Sequence, residues 1–270
     1  MKNVSVSIPG GNGRMGKTLL GLIIDSEKYN LISSTCLPGE DEEHLDIGLL
    51  AGKNTISKKL TSDASSLFKN SDVLIDFTVP EATMVHAQKC FENNMSMVIG
   101  TTGFTSLQEN HLLQLSKKIA IVYSANFSVG VTLLANLVSS ATKTLGKEWD
   151  VEILEMHHKH KIDAPSGTAL MLGKSAAKAR DQNLSEVKEV SRDGIVGKRN
   201  SKEIGFAVLR GGDVVGEHSV LFCNDGERIE LTHKATDRSI FASGALRAAH
   251  WAATAKPGLY SLSDVLNLGG

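Results

Sequence analysis

Val4-Ser5-Val6-Ser7-Ile8-Pro9-Gly10-Gly11-Asn12-Gly13-Arg14-Met15-Gly16 runs directly into Lys17 to Ser26, which carries Leu19, Leu20, Leu22, Ile23 and Ile24. An apolar strand, a glycine loop and an apolar helix in immediate succession open a βαβ unit. Glycine permits the tight turn and the close approach of a pyrophosphate, and the helix N-terminus favours negative charge. The register Gly10, Gly13, Gly16 is a variant of G-x-G-x-x-G, since Asn12 stands where that pattern wants glycine. A tight βα turn with no ligand is the competing reading; the N-terminal position and the elements that follow favour a dinucleotide. The acid expected about 20 residues further on, which would hold the ribose diol of NAD, is missing. Cys36-Leu37 occupies that position, with Glu40 and Asp41 slightly later and Arg14 and Lys17 as the nearest cations. NADH and NADPH both stay open.

The pattern continues outward from this loop. Leu31 to Leu37 reads as a strand, Asp72 to Phe77 as another, Glu81 to Phe91 as a helix and Met95 to Ile99 as a strand. Leu107 to Lys117 follows as a helix, and Ala120 to Tyr123 as a further strand. Strands alternating with helices indicate a parallel sheet of the Rossmann-like kind. Each apolar strand ends in a small or polar turn: the glycine loop, Phe77-Thr78, Gly100-Thr101-Thr102 and Ala125-Asn126-Phe127. Ligands of open α/β sheets bind at the C-terminal edge of the strands, so these turns should share one rim.

The character changes after Phe127. Val129 to Leu145 is one long apolar helix, and Trp149 to Met156 reads as a strand that delivers a run of histidines. Ala169 to Arg180 is helical, and Arg192 to Lys202 is a polar, basic loop. Strands are expected over Ile204 to Leu209, Val214 to Phe222 and Arg228 to His233, with Gly211-Gly212 and Asp225-Gly226 as turns. Asp-Gly between two strands is a hairpin signal. Ile240 to Ala253 is helical again. The expected organisation is a dinucleotide-binding domain of residues 1–128 with 238–270. Residues 129–237 would form an α+β substrate-binding and oligomerisation domain with a mixed open sheet. Two chain crossings make a natural hinge, so closure on substrate is expected.

His157-His158-Lys159-His160-Lys161 places three imidazoles and two ammonium groups in five residues, and Asp163-Ala164-Pro165-Ser166-Gly167-Thr168-Ala169 follows at once. Such clustering costs self-repulsion, which an anionic small molecule would relieve. Three readings compete. A metal site would need further ligands, and neither H-E-x-x-H nor a cysteine pair accompanies the run, so no metal is expected. A solvated loop without a role is the second. The third is an anion site with proton donors. Lysine supplies a compact charge and histidine titrates near neutrality. Gly167 and Thr168 at a helix start offer backbone and hydroxyl donors, while Ser166 caps the helix. In an extended strand His158 and His160 would point one way and His157 the other. Asp163 and Pro165 shape the turn, and Lys159 need not share the role of Lys161.

Composition bounds the rest. The chain has 270 residues, 41% hydrophobic and 22% charged, with a formal net charge of -1. That balance argues against a nucleic-acid binder, whose phosphate contacts demand a basic face. Cys36, Cys90 and Cys223 are far apart and form no metal or redox pair, which fits a reducing compartment. No apolar run approaches the roughly 18–20 residues needed to cross a bilayer, and with a strand reading from Val4 no signal peptide is expected. No membrane association is expected, and the cytoplasm is the expected address.

Taken together, these motifs resemble the dihydrodipicolinate reductase family of lysine and diaminopimelate synthesis, and the match runs end to end. It covers G-G-N-G-R-M-G from Gly10, V-L-I-D-F-T-V-P-E-A-T from Val73 and M-V-I-G-T-T-G-F from Met97. It continues through A-N-F-S-V-G-V from Ala125 and E-M-H-H-K-H-K-I-D-A-P-S-G-T-A from Glu155, then G-E-H-S-V-L-F from Gly216 and E-L-T-H-K-A from Glu230. The resemblance implies an NADH- or NADPH-dependent reductase that converts 4-hydroxy-tetrahydrodipicolinate to tetrahydrodipicolinate with loss of water. It implies that Gly10, Gly11, Asn12, Gly13, Arg14 and Met15 contact the dinucleotide. Gly100, Thr101, Thr102, Ser124, Ala125, Asn126 and Phe127 would sit beside the nicotinamide. His157 would be the proton donor or acceptor and Lys161 a proton donor. His158 would be a ligand of a small cyclic dicarboxylate substrate, and Gly167 with Thr168 would hold one of its carboxylates. A homotetramer formed through the second domain's sheet is also implied. Cys36-Leu37 replaces an acid-then-basic pair that some members carry, and Ser124 stands where alanine is frequent. An amino-acid dehydrogenase on the same fold, which leaves D-A-P-S-G-T-A unexplained, and a binding module that senses nucleotide without turnover, which has no need of Lys161, are the rival functions.

Overall fold

The computed structural model describes residues 3–268. The elements in chain order are β1 Val4–Pro9, α1 Arg14–Ile24, β2 Tyr29–Thr35, α2 Ile47–Leu50, β3 Val73–Asp76, α3 Pro80–Glu92, β4 Ser96–Ile99, α4 Ser106–Leu115 and β5 Ala120–Tyr123. They continue with α5 Val129–Leu145, β6 Asp150–His157, α6 Gly167–Ala179, α7 Leu184–Val187, β7 Lys188–Glu189, β8 Ile204–Arg210, β9 Gly216–Asn224 and β10 Glu227–Ala235. The chain closes on α8 Ser239–Ala252, β11 Gly258–Tyr260 and α9 Leu262–Val265. Two compact units result, one of Met1–Val129 with Ser239–Gly270 and one of Gly130–Arg238.

The first unit is a six-stranded parallel sheet in the order β11-β5-β4-β3-β1-β2. Its strands read as apolar runs because both faces are covered. Alternate residues then serve different cores. Val73, Ile75, Val98 and Val122 face a core with Leu19, Leu20 and Ile23 of α1 and Ala242, Ala245, Ala248 and Ala249 of α8. Leu74, Met97, Ile99 and Ile121 pack with Ala87, Cys90, Leu112 and Leu115 of α3 and α4. The alanines of α8 let that helix lie close. A side chain on Gly244 would come within 1.8 Å of the Phe127 carbonyl oxygen.

The second unit is a mixed sheet, β10-β9-β6-β8-β7. β6 runs parallel to β8 and antiparallel to β9. One face is covered by Leu134 and Val138 of α5 and Leu172 and Ala176 of α6, which meet Val151, Ile153, Ile204, Phe206, Val220 and Phe222. The opposite face leaves Leu154 and Leu209 exposed. Asp225-Gly226 joins β9 to β10 as a two-residue turn, with Gly226 at φ +86°, a conformation glycine adopts without strain.

Several bounds differ from the sequence reading. β2 ends at Thr35 rather than Leu37, because Cys36 donates its N–H to Thr61. β6 ends at His157, so strand alternation does not extend through the histidines. The chain there folds into a turn instead, with the His158 N–H on the Val214 carbonyl and the Lys161 N–H on that of His158. β11 and α9 were not read from the sequence; three and four residues long, they carry too little periodicity.

Candidate active site

The rim of the parallel sheet is built by close backbone approaches. Gly10 has φ +65°, and a Cβ on Gly16 would lie 2.3 Å from the Gly10 carbonyl oxygen. A Cβ on Gly11 would lie 1.9 Å from Ser34 Oγ. Only glycine allows this loop to fold back so tightly. α1 starts with Gly13 as its cap, with no side-chain cap hydrogen bond and no acid in its first turn. α4, by contrast, has a capping box from Thr105 and Gln108. The N-terminus of α1 thus presents backbone N–H groups that no capping side chain takes, which suits a pyrophosphate. Arg14 is exposed and Met15 half-buried beside it.

The other turns meet this loop. A Cβ on Gly10 would touch Thr78 Cγ2 at 3.2 Å, and the Phe77 ring covers Gly100, where a Cβ would approach within 2.0 Å. Phe77 meets Phe127 edge to face at 5.7 Å. Thr101 is buried and accepts from Thr83 Oγ1 at 2.8 Å, while Thr102 is exposed. Thr78 donates its N–H and hydroxyl to the buried Asp76 carboxylate, which also binds His86 Nδ1 at 2.7 Å. Ser124 Oγ donates to the Asn126 carbonyl at 2.7 Å, and Asn126 Oδ1 accepts from the Ser128 N–H at 2.8 Å. Ser124 therefore has a local role that an alanine would lack; Ala125 is exposed.

The acids missing from the end of β2 gather just beyond it. Asn12 donates its side-chain amide to Glu40, and Lys17 lies 3.7 Å from Glu42. Burial, together with Glu43, Glu40 and Glu42, raises the Cys36 thiol above its ordinary pKa.

In the second unit the strand register does the positioning. Val151, Ile153, Glu155 and His157 fall on the buried side of β6. Pairing sets Glu155 opposite His218 of β9 and His157 beside Arg210 of β8. Glu155 is fully buried. Arg210 grips it through Nη1 to Oε2 at 2.8 Å and Nη2 to Oε1 at 2.9 Å. Its Oε2 also accepts from His157 Nδ1 at 2.5 Å, and its Oε1 from the Ser166 N–H at 3.0 Å. Burial alone would raise the Glu155 carboxyl. The Arg210, His157 and Ser166 hydrogen bonds together outweigh it and hold the group below the usual carboxylate range. Removing Arg210 alone would strand a buried charge, a change that costs about 3–5 kcal/mol.

His218 lies against His157, ring centroids 5.1 Å apart, and its Nε2 is hydrogen-bonded to Ser166 Oγ at 3.0 Å. Burial, then the neighbouring His157, pushes His218 down to about 4. Ser166 caps α6, its Oγ accepting from the Ala169 N–H at 3.1 Å, so the first N–H groups of that helix are those of Gly167 and Thr168. Gly216 leaves room for the His157 ring; a Cβ there would sit 3.0 Å from Nε2.

His158 Nε2 is 3.2 Å from Arg238 Nη2. Its partial desolvation, then Arg238, keeps its pKa below the ordinary value. Lys159 and His160 are exposed. Lys161 Nζ donates to Asp163 Oδ1 at 2.7 Å, so Asp163 does more than shape the turn. This solvent-facing pair contributes about 0–1 kcal/mol and is readily exchanged. The self-repulsion expected of the run is thus eased from within, by the Asp163 carboxylate on Lys161 and by the lowered basicity of His158. Glu155, Arg210 and His218 were not singled out from the sequence, although Glu155 carries a signal: a charge in phase with Val151 and Ile153. Among the described residues no three His, Cys, Asp or Glu side chains form a metal-binding group, and no helix is long and apolar enough to cross a membrane.

Known proteins match both units. Residues 4–127 match the family profile of the dihydrodipicolinate reductase N-terminus and residues 130–266 that of its C-terminus. A 4-hydroxy-tetrahydrodipicolinate reductase of Parvibaculum lavamentivorans is 47% identical over 269 residues, covering 98% of both chains. One from Afipia carboxidovorans is 46% identical over 269 residues, covering 100% of this chain and 99% of its own. The structure of a dipicolinate-bound dihydrodipicolinate reductase from Paenisporosarcina sp. TG-14 superposes with a TM-score of 0.76 at 28% identity, covering 96% of this chain and 98% of that one. The chain belongs to the dihydrodipicolinate reductase family and is an NAD(P)H-dependent oxidoreductase that converts 4-hydroxy-tetrahydrodipicolinate to tetrahydrodipicolinate in lysine and diaminopimelate synthesis.

Proposed function

We propose that the two units divide this reaction, the first holding the dinucleotide and the second holding the cyclic dicarboxylate and moving its protons. The residues of the rim fit the cofactor. The uncapped N-terminus of α1 and Gly10 to Met15 receive the pyrophosphate, and Gly100, Thr101, Thr102 and Ser124 to Phe127 border the nicotinamide. A bound reduced nicotinamide supplies the hydride. Proton movement is the work of side chains. Overall the ring loses its hydroxyl together with one ring hydrogen as water, and accepts one hydride from the nicotinamide and one proton. His157 and Lys161 carry the protons, through Nε2 and Nζ respectively. His158 binds the substrate, and the Gly167 and Thr168 end of α6 takes one carboxylate.

The observation that carries this reading is the buried Glu155. It joins the His157 imidazole to the Ser166 N–H at the head of α6, while Arg210 extends the link to the carbonyl of Asp163, the partner of Lys161. Proton donor and anion-binding helix end are thereby held in one piece.

NADH is the preferred cofactor on this reading. Glu40, Glu42 and Glu43 make the end of β2 negative, which favours a ribose diol and disfavours a 2′-phosphate. The protein acts as a homotetramer through the sheet face that bears Leu154 and Leu209. The three free cysteines suit the reducing cytoplasm. The test measures oxidation of NADH and NADPH side by side, with substrate generated from pyruvate and aspartate semialdehyde by the preceding enzyme, together with both cofactor Kd values and the mass in solution. Substrate-dependent oxidation with tighter NADH binding and a tetrameric mass is expected. Ammonia-dependent NAD reduction, or cofactor binding without turnover, would point to the rival functions.

A further inference from the structure

We propose that Glu155 is a positioning residue that fixes which nitrogen of His157 exchanges the proton and couples that nitrogen to the anion-binding end of α6. This assignment rests on the proton-transfer role given above to His157.

The carboxylate is wholly buried and lies two residues before His157 on the same side of β6. Its four hydrogen bonds come from three directions: two from Arg210 of β8, one from Nδ1 of His157 and one from the Ser166 N–H that precedes α6. The Arg210 guanidinium keeps Glu155 ionised, and an ionised carboxylate only accepts hydrogen bonds. Nδ1 of His157 must therefore carry a hydrogen in both charge states of the ring. The neutral imidazole is the Nδ1–H tautomer, and Nε2 is left as the basic nitrogen. A carboxylate orients an imidazole in the same way in Ser-His-Asp triads. The second contact extends the role. Oε1 anchors the Ser166 N–H, while Ser166 Oγ caps the helix and binds His218. Imidazole orientation and helix position thus depend on one side chain. Arg210 also donates to the Asp163 carbonyl, so the Lys161 turn is tied to the same ion pair.

The wild-type chain itself provides the first test. Nitrogen NMR of histidine-labelled full-length protein, with the His157 signal assigned by its loss in H157Q, should find the neutral ring protonated at Nδ1. A proton on Nε2 would overturn the proposal, whether or not any Glu155 variant folds. Kinetics provide the second. E155Q should lose turnover by roughly 10–100-fold, as is usual when an orienting partner is removed. Its KM should rise as well, because the head of α6 loses an anchor, and Glu155→Asp should recover part of both. Because Glu155 reaches the proton transfer through His157, E155Q/H157Q should have a kcat no lower than H157Q alone, the rise in KM from the lost α6 anchor remaining; kcat losses that multiply would make Glu155 merely structural and sink the idea. If H157Q turns over like the wild type, the proton-transfer reading itself has failed. The tautomer measurement distinguishes that failure from a failure of positioning.

Discussion

In the first unit, the groups that face the proposed pyrophosphate are chiefly backbone donors on a glycine-rich loop, with Gly11 and Gly16 packed against Ser34 and Gly10. In the second, the groups that face the proposed dicarboxylate are ionisable side chains backed by a buried ion pair, Glu155 with Arg210. The first arrangement leaves no room for a side chain at Gly11 or Gly16. The second depends on an ionised Glu155, whose carboxyl the Arg210, His157 and Ser166 hydrogen bonds hold below the usual range against the effect of burial. On the proposed division of labour, the first unit binds and orients the nucleotide, whereas the second must also move protons.

This contrast can be broken at its strongest point. His157→Gln or Lys161→Ala should each lower kcat by about 10²–10⁴ while leaving the NADH Kd unchanged, the range usual for a general acid. Near-normal turnover in both would place the proton chemistry elsewhere.

The next effect concerns pH. The folded state holds His218 at about 4, below the unfolded value near 6.5, so below pH 6.5 the unfolded chain takes up a proton that the folded one refuses. Stability should therefore fall between pH 6.5 and 4, by about 3 kcal/mol from this residue. Glu155, held below its ordinary pKa, adds a loss that begins only under about pH 4.3. Chemical denaturation at stepped pH should show the slope, and His218→Gln should flatten it by about one proton between pH 4 and 6.5.

Gly16→Ala sharpens the other side of the comparison. The new methyl would meet backbone rather than a flexible side chain, costing about 1–3 kcal/mol. NADH binding measured by fluorescence should weaken about 10–100-fold, with no change in the pH dependence of turnover. The smallest expected effect is that of Thr168→Val. Loss of one donor to a carboxylate should raise the substrate KM about tenfold with kcat little changed, and an unaltered KM would remove Thr168 from the carboxylate grip.

Much of the fold was legible because its signals are local. Val129 to Leu145 reads as one helix and is one, and Asp225-Gly226 turns where an Asp-Gly pair should. Four turns at the ends of apolar strands were expected to share a rim, and Gly10, Phe77, Thr78, Gly100 and Phe127 do meet. The histidine environment was legible only in part. Glu155 lies in step with Val151 and Ile153, so its burial could have been read from the period of two. Its partners could not. Arg210 is 55 residues further along the chain, and the Ser166–His218 pair spans 52 residues, distances that only strand register closes. Asp163 was read as a turn residue because a short-range pair with Lys161 leaves no periodic trace.

α8 fills one face of the first sheet with Ala242, Ala245, Ala248 and Ala249, yet it is translated only after the whole of the second unit. On the ribosome, Val73, Ile75 and Val98 have α1 beside them early but lack the α8 share of their cover until more than half of the chain has followed. The second unit, contiguous in the chain, can complete its own core first. A nascent chain stalled at Val129 should therefore depend on chaperones, and the cofactor-binding half should be the last to mature.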